Sequence, residues 1–183
     1  MNKIKSGCIV LYNIIRFTLL KVINLNRISC SLIEIISPRA KLLVEKGEIE
    51  VGYRCKILEG SIVKSSKEGR LTLGSRVFIN RNCNIVAHNN IFIGSGTTIG
   101  PNVSIYDHDH DFKTRRGFIS APIKIENNVW IGANVVILKG VTIGENSVIA
   151  AGCVITKNVP DNVVVKNVIK QQIIEIKKSE GKS

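Results

Sequence analysis

The chain has 183 residues, in which Lys and Arg outnumber Asp and Glu 26 to 14, for a formal net charge of +12. That length fits one domain, and only 5% of the residues are aromatic, too few for a broad ring-filled core. The charge suits an anionic partner, but no nucleic acid is expected: the basic residues are scattered, lack interleaved aromatics and match no reader motif.

Residues 1–46 form the first unit, an N-terminal amphipathic or capping segment with eight basic and two acidic residues. From Ile9 to Leu25 it is apolar except for Asn13, Arg16, Thr18, Lys21 and Asn24, which mostly share one helical face. The helix is too short and too interrupted to cross a membrane, since Arg16 and Lys21 would lie near mid-membrane. No small-residue cleavage site follows it, so a signal peptide is not expected. Two compatible roles remain for residues 9–25: a cap over the open end of a solenoid, or a basic helix resting peripherally on an anionic membrane.

Residues 47–165 repeat every sixth position. Leu73, Ile79 and Ile85 form one series; Ile93, Ile99 and Ile105 a second; Ile125, Ile131, Ile137, Ile143, Ile149 and Ile155 a third. Four residues after each comes a smaller slot, such as Val77, Cys83, Thr97, Val103, Val129, Val135, Val141, Ser147, Cys153 and Val159. A strict six is neither helical nor simply alternating, and it identifies an all-β solenoid of hexapeptide repeats. Three units make one triangular coil, and coils stack in parallel at about 4.8 Å. Val51, Ile57 and Ile62 are read as the start of the repeat. Glycines that follow the aliphatic (Gly74, Gly94, Gly100, Gly132, Gly144) are expected where corners need positive φ. Cys55, Cys83 and Cys153 read as small core residues, with Cys8 and Cys30 outside the solenoid and no disulfide. That pattern suits a reduced, cytoplasmic setting. Residues 166–183 read as a short C-terminal helix over Ile169–Ile176 and a basic, disordered tail.

The repeat is interrupted by an extra two residues around His88 and by an inserted loop, residues 106–122. The loop carries Tyr106, Asp107, His108, Asp109, His110, Asp111 and Arg115, and so two of the three histidines in the chain. A rigid scaffold that spends a long loop on histidines and carboxylates points to function. Histidine beside a carboxylate suits general-base chemistry near neutral pH.

The segment Ala121 to Pro160, with its NVWIG and AAGCVITK stretches and the DHDH loop, resembles the hexapeptide-repeat sugar O-acetyltransferases. The relatives are the maltose and galactoside enzymes and those that act on capsule and exopolysaccharide. The resemblance spans roughly residues 70–165 and implies a left-handed parallel β-helix, an exception to the right-handed crossover rule. It also implies a homotrimer with active sites between subunits, acetyl-CoA as donor, and a sugar or glycan hydroxyl as acceptor. His110 matches the family's general base by its offset from Asn80. His108 is the alternative base, and Asp109 or Asp107 is the candidate to orient the imidazole. Asn80, His88, Tyr106 and Arg115 are the candidate acceptor-binding residues; His88 stands where the galactoside relatives carry an aspartate. Trp130, Ala133, Ala151, Thr156 and Lys157 match the cofactor-binding positions. Ala133 replaces a serine of some relatives, so only its backbone N–H is available to an oxyanion.

No metal is expected under this reading. The family's usual Gly-x-Pro-Ala turn is missing after the last coil, where the chain reads Val165 to Gln171. Two rivals follow: a γ-carbonic-anhydrase-like zinc site built on the three histidines, and a catalytically inactive binding module. An amino-sugar acceptor would need similar machinery, so O- and N-acetylation both stay open.

Overall fold

The computed structural model describes residues 3–23, 27–30 and 34–168. Three parallel sheets form the walls of a triangular prism, with six, seven and six strands. Each coil passes the first sheet (for example Asn90–Ile93), then the second (Thr98–Ile99), then the third (Ser104–Tyr106), and returns to the first at Ile123–Ile125. The result is a parallel β-helix of about six coils, consistent with the left-handed winding that the resemblance implies.

The six-residue period becomes three vertical ladders of aliphatics. Val51, Leu73, Ile93, Ile125 and Ile143 stack in the first sheet. Ile57, Ile79, Ile99, Ile131 and Ile149 stack in the second, and Val63, Ile85, Ile105, Ile137 and Ile155 in the third. All of these are buried, and so are the smaller partners from Val77 to Val159. Polar members of the small slot also bridge coils. The Ser61, Thr97 and Ser147 hydroxyls donate to the carbonyls of Asn80, Glu126 and Pro160 in the next coil. The thiols of Cys55 and Cys83 lie 3.0 and 3.1 Å from the carbonyls of Gly74 and Gly100. Burial pushes the Cys55 thiol up to about 11 and raises Cys83 as well, so both stay protonated and unreactive.

The structure corrects several readings of the sequence. Strands at Ile28–Cys30, Ile35–Ile36 and Lys41–Val44 already belong to the three sheets, so the coils begin well before residue 47. Their repeat is hard to see because the first coil is closed by a helix rather than by another coil. Cys30 consequently lies in the core rather than outside it. Val63, not Ile62, occupies the inward ladder position. The glycines that follow the aliphatic do not have positive φ. They are required because the next coil passes too close: a Cβ on Gly74 would stand 2.6 Å from the backbone nitrogen of Ser95. Positive φ falls two residues later, at Arg54, Arg76, Asn82, Asn102, Asn128, Asn134 and Asn146, or at Gly60, Gly96, Gly140 and Gly152. Asparagine and glycine tolerate that left-handed conformation best.

The N-terminal helix spans Lys3–Ile23 and caps the open end of the prism. Asn13 is buried and donates to the carbonyls of Ile36 (2.9 Å) and Glu34 (3.3 Å). Arg16 donates to Ser37 and Ala40, and Phe17 joins the core. Polar side chains face inward because the end of a parallel coil presents backbone carbonyls that need donors. The C-terminal helix expected over 169–176 lies outside the described residues.

Every irregular spacing falls at one corner, where the third sheet passes to the first. Residues 66–69, 88–89 and 107–122 leave there in successive coils. Insertions at a corner leave the ladders undisturbed, so the scaffold tolerates a functional loop.

A histidine corner and an apolar groove

Asp107, the first residue beyond the Ser104–Tyr106 strand, is fully buried. Its carboxylate accepts the backbone N–H groups of His88 and Asn89 from the coil before, each at 2.8 Å. The same carboxylate lies 3.1 Å from His108 Nδ1. Asp107 thus ties two coils together and sets the histidine ring. His88 and His108 stack with centroids 3.5 Å apart and planes 8° from parallel. Burial, followed by the proximity of His108 and Lys67, holds the His88 imidazole below its ordinary range.

The inserted loop is a hairpin, His108–His110 antiparallel to Phe118–Ser120, rather than an unstructured excursion. Phe118 returns over the rings, edge-on to His88 at 4.7 Å and to His108 at 5.5 Å, and Tyr106 meets His108 edge-on at 5.9 Å. His110 is exposed and packs tilted against Phe118 at 4.6 Å. Asp109 does not orient an imidazole: it pairs with Lys139 of the following coil. Asp111 accepts hydrogen bonds from the backbone of Lys113 and Thr114 and from the Thr114 hydroxyl, which closes the hairpin turn. Arg115 lies in that turn, exposed and at positive φ.

A second feature runs along the outer face of the second sheet and the corner after it. This open, largely apolar groove of about 490 Å³ is lined by Phe78, Asn80, Thr98, Pro101, Trp130 and Val148, with Gly132, Ala133 and Ala151. Four of the predicted site residues, Asn80, Trp130, Ala133 and Ala151, therefore share one groove. Trp130 points outward at 59% exposure, as its place beside Ile131 implies. Asn80 also accepts the Arg81 N–H, so it serves the corner as well as the groove. Thr156 and Lys157 are exposed at a different corner and do not line it. The sequence reading missed Phe78, Thr98 and Val148. Their signal is the residue just before the ladder aliphatic in each second-sheet unit, which stacks outward above and below Trp130.

The two features lie on opposite sides of the prism. The hairpin leaves the corner between the third and first sheets, and the groove follows the second sheet and the corner it makes with the third. His110, His108 and His88 accordingly do not line the groove of their own chain. Among the described residues no cluster of three His, Cys, Asp or Glu side chains is arranged to hold a metal ion.

Residues 122–157 match the family model described as bacterial transferase hexapeptide (six repeats). The chain is similar to sugar O-acetyltransferases, as its motifs indicate. It is 36% identical to a galactoside O-acetyltransferase of Lactococcus lactis over 67% of this chain and 60% of that protein. It is 44% identical to the galactoside O-acetyltransferase of Escherichia coli over 57% of this chain and 53% of the relative. The chain thus spans little more than half the length of these curated relatives. In fold it matches a variant of AntD, an N-acyltransferase from Bacillus cereus in complex with dTDP and coenzyme A. That match has a TM-score of 0.67 at 20% identity and covers 79% of this chain and 81% of the other.

Proposed function

We propose that this chain is an acetyl-CoA-dependent acetyltransferase acting on a hydroxyl of a sugar or surface-polysaccharide precursor. The observation that carries the reading is the groove, which gathers three of the five residues matching cofactor positions, Trp130, Ala133 and Ala151, on one face. An extended pantetheine arm fits such an open apolar channel, with the Trp130 indole along its side.

The base must come from elsewhere, because the histidine corner is on the far side of the same chain. A homotrimer resolves this: the hairpin of one copy reaches the groove of the next, giving three shared sites. His110 is the base under this reading, since it is the exposed imidazole at the hairpin edge. His108 is held between His88 and Phe118 and anchored by Asp107. His110 takes the acceptor's hydroxyl proton as the oxygen attacks the thioester carbonyl carbon. The tetrahedral oxyanion that forms is met by the Ala133 N–H. It collapses as the C–S bond breaks, and the departing thiolate takes the proton back from the imidazolium. Both substrates are bound together, and no acyl-enzyme forms. Tyr106, His88, Asn80 and Arg115 remain the candidate acceptor contacts, and an amine in place of the hydroxyl would follow the same steps.

The test is calorimetric titration with acetyl-CoA, followed by turnover of His110→Ala on a panel of glycosides. Micromolar binding retained with turnover reduced by roughly 10²–10⁴ is the expected result. No acetyl-CoA binding would overturn the proposal. A larger loss in His108→Ala than in His110→Ala would exchange the roles of the two histidines.

A further inference from the structure

The N-terminal helix is inverted relative to an ordinary surface helix. Its polar residues Asn13 and Arg16 dock onto the prism together with Phe17, and a stripe of its other apolar residues faces out. Leu11, Tyr12, Ile15, Leu19, Val22 and Ile23 are between 47% and 73% exposed. They recur at helical spacing and so form one continuous stripe. A stripe of this size on a soluble surface marks an interaction site.

Charge identifies the occupant. From Met1 to Ile33 the sequence has Lys3, Lys5, Arg16, Lys21 and Arg27 and no Asp or Glu. Arg39 and Lys41, at the same end of the prism, are exposed. The nearby acidic residues Glu45 and Glu48 are paired with Lys64 and Arg70. A second copy placed against this helix would bring two predominantly positive segments together. An anionic lipid surface accepts the apolar stripe among its acyl chains and neutralises the flanking charge. No helix among the described residues is long and apolar enough to cross a membrane, so the helix would lie in the interface plane.

We infer that the outward face of the Lys3–Ile23 helix docks this protein on an anionic membrane, with the open end of the prism toward the lipid. The Ser104–Tyr106 strand is the fourth in its sheet from that end. The histidine hairpin therefore lies three coil steps, roughly 15 Å, beyond the first coil, and docking leaves the groove and hairpin uncovered.

The experiment is flotation of the full chain with vesicles of phosphatidylcholine alone and of phosphatidylcholine with phosphatidylglycerol. The wild type is expected to float with the anionic vesicles, less in high salt, and weakly with phosphatidylcholine alone. The double variant Ile15→Glu, Leu19→Glu is expected to lose at least about tenfold in partitioning. Its thermal unfolding should be unchanged, because Asn13, Arg16 and Phe17 still dock the helix. Failure of the wild type to float, or equal flotation of the variant, overturns the inference. A smaller oligomer in the variant, with no vesicle binding by either protein, reassigns the stripe to a contact between copies. Acetyl transfer to a soluble glycoside is a separate readout, so the surface and the catalytic proposal fail independently.

Discussion

Asp107 shows how one buried side chain serves stability and site geometry together. It holds two N–H groups of the preceding coil and the ring of His108, and no other described residue supplies those contacts. Asp107→Ala leaves two donors short of a charged partner, so unfolding free energy should fall by roughly 2–4 kcal/mol in urea titrations. The hairpin should also loosen, so turnover falls in the same variant. His88 gives a pH signature. Its folded pKa is depressed by burial, so between that value and about 6.5 the unfolded chain binds more protons than the native one. Stability should therefore fall as pH drops through this window. Urea midpoints measured from pH 7.5 to 5 should show a slope that shrinks in His88→Gln. The sequence exposed these residues as an unusual cluster, and it put Asp109 forward as the partner for an imidazole, with Asp107 as the alternative. Burial and the adjacent coil decided for Asp107, and Lys139 claimed Asp109.

At the scale of the coil, two kinds of glycine that look alike in sequence do different work. Gly74 is required by the backbone of the next coil, whereas Gly152 has positive φ and open space around its would-be Cβ. Gly74→Ala should cost about 1–3 kcal/mol through overpacking. Gly152→Asn should stay within about 0.5 kcal/mol, since asparagine tolerates left-handed backbone and the site is exposed. Chemical denaturation of the two variants separates the causes, and equal losses would refute the distinction. The same limit applies to the helix. Its amphipathic pattern was legible in Asn13, Arg16 and Lys21, but pattern alone cannot tell which face turns inward. The carbonyls of Glu34, Ile36, Ser37 and Ala40 at the end of the first coil decided that question in favour of the polar face.

For the whole molecule, separation of hairpin and groove gives the sharpest prediction about assembly. If sites are shared between copies, His110→Ala and Ala133→Trp chains should each be inactive alone, the second because an indole fills the groove that Ala133 lines. Mixed after dissociation and reassembly, they should regain activity, since some sites then combine an intact hairpin with an intact groove. No recovery, in hybrids confirmed by mass spectrometry, would place the whole site within one chain.

The sequence by itself determined the solenoid, its three aliphatic ladders, the small inward slot and the position along the chain at which the loop interrupts the repeat. Those features follow from a local rule repeated every six residues, and such a rule is written in the order of the residues. It also singled out His110, Trp130, Ala133 and Ala151. Only the tertiary structure decided that the coils begin near Ile28, that Asp107 ties His88 to His108, that the helix turns its apolar face outward, and that hairpin and groove lie on opposite sides. Each of those depends on residues some twenty positions apart meeting across stacked coils or around the prism. The repeat places such residues, but only closing the prism brings their side chains into contact.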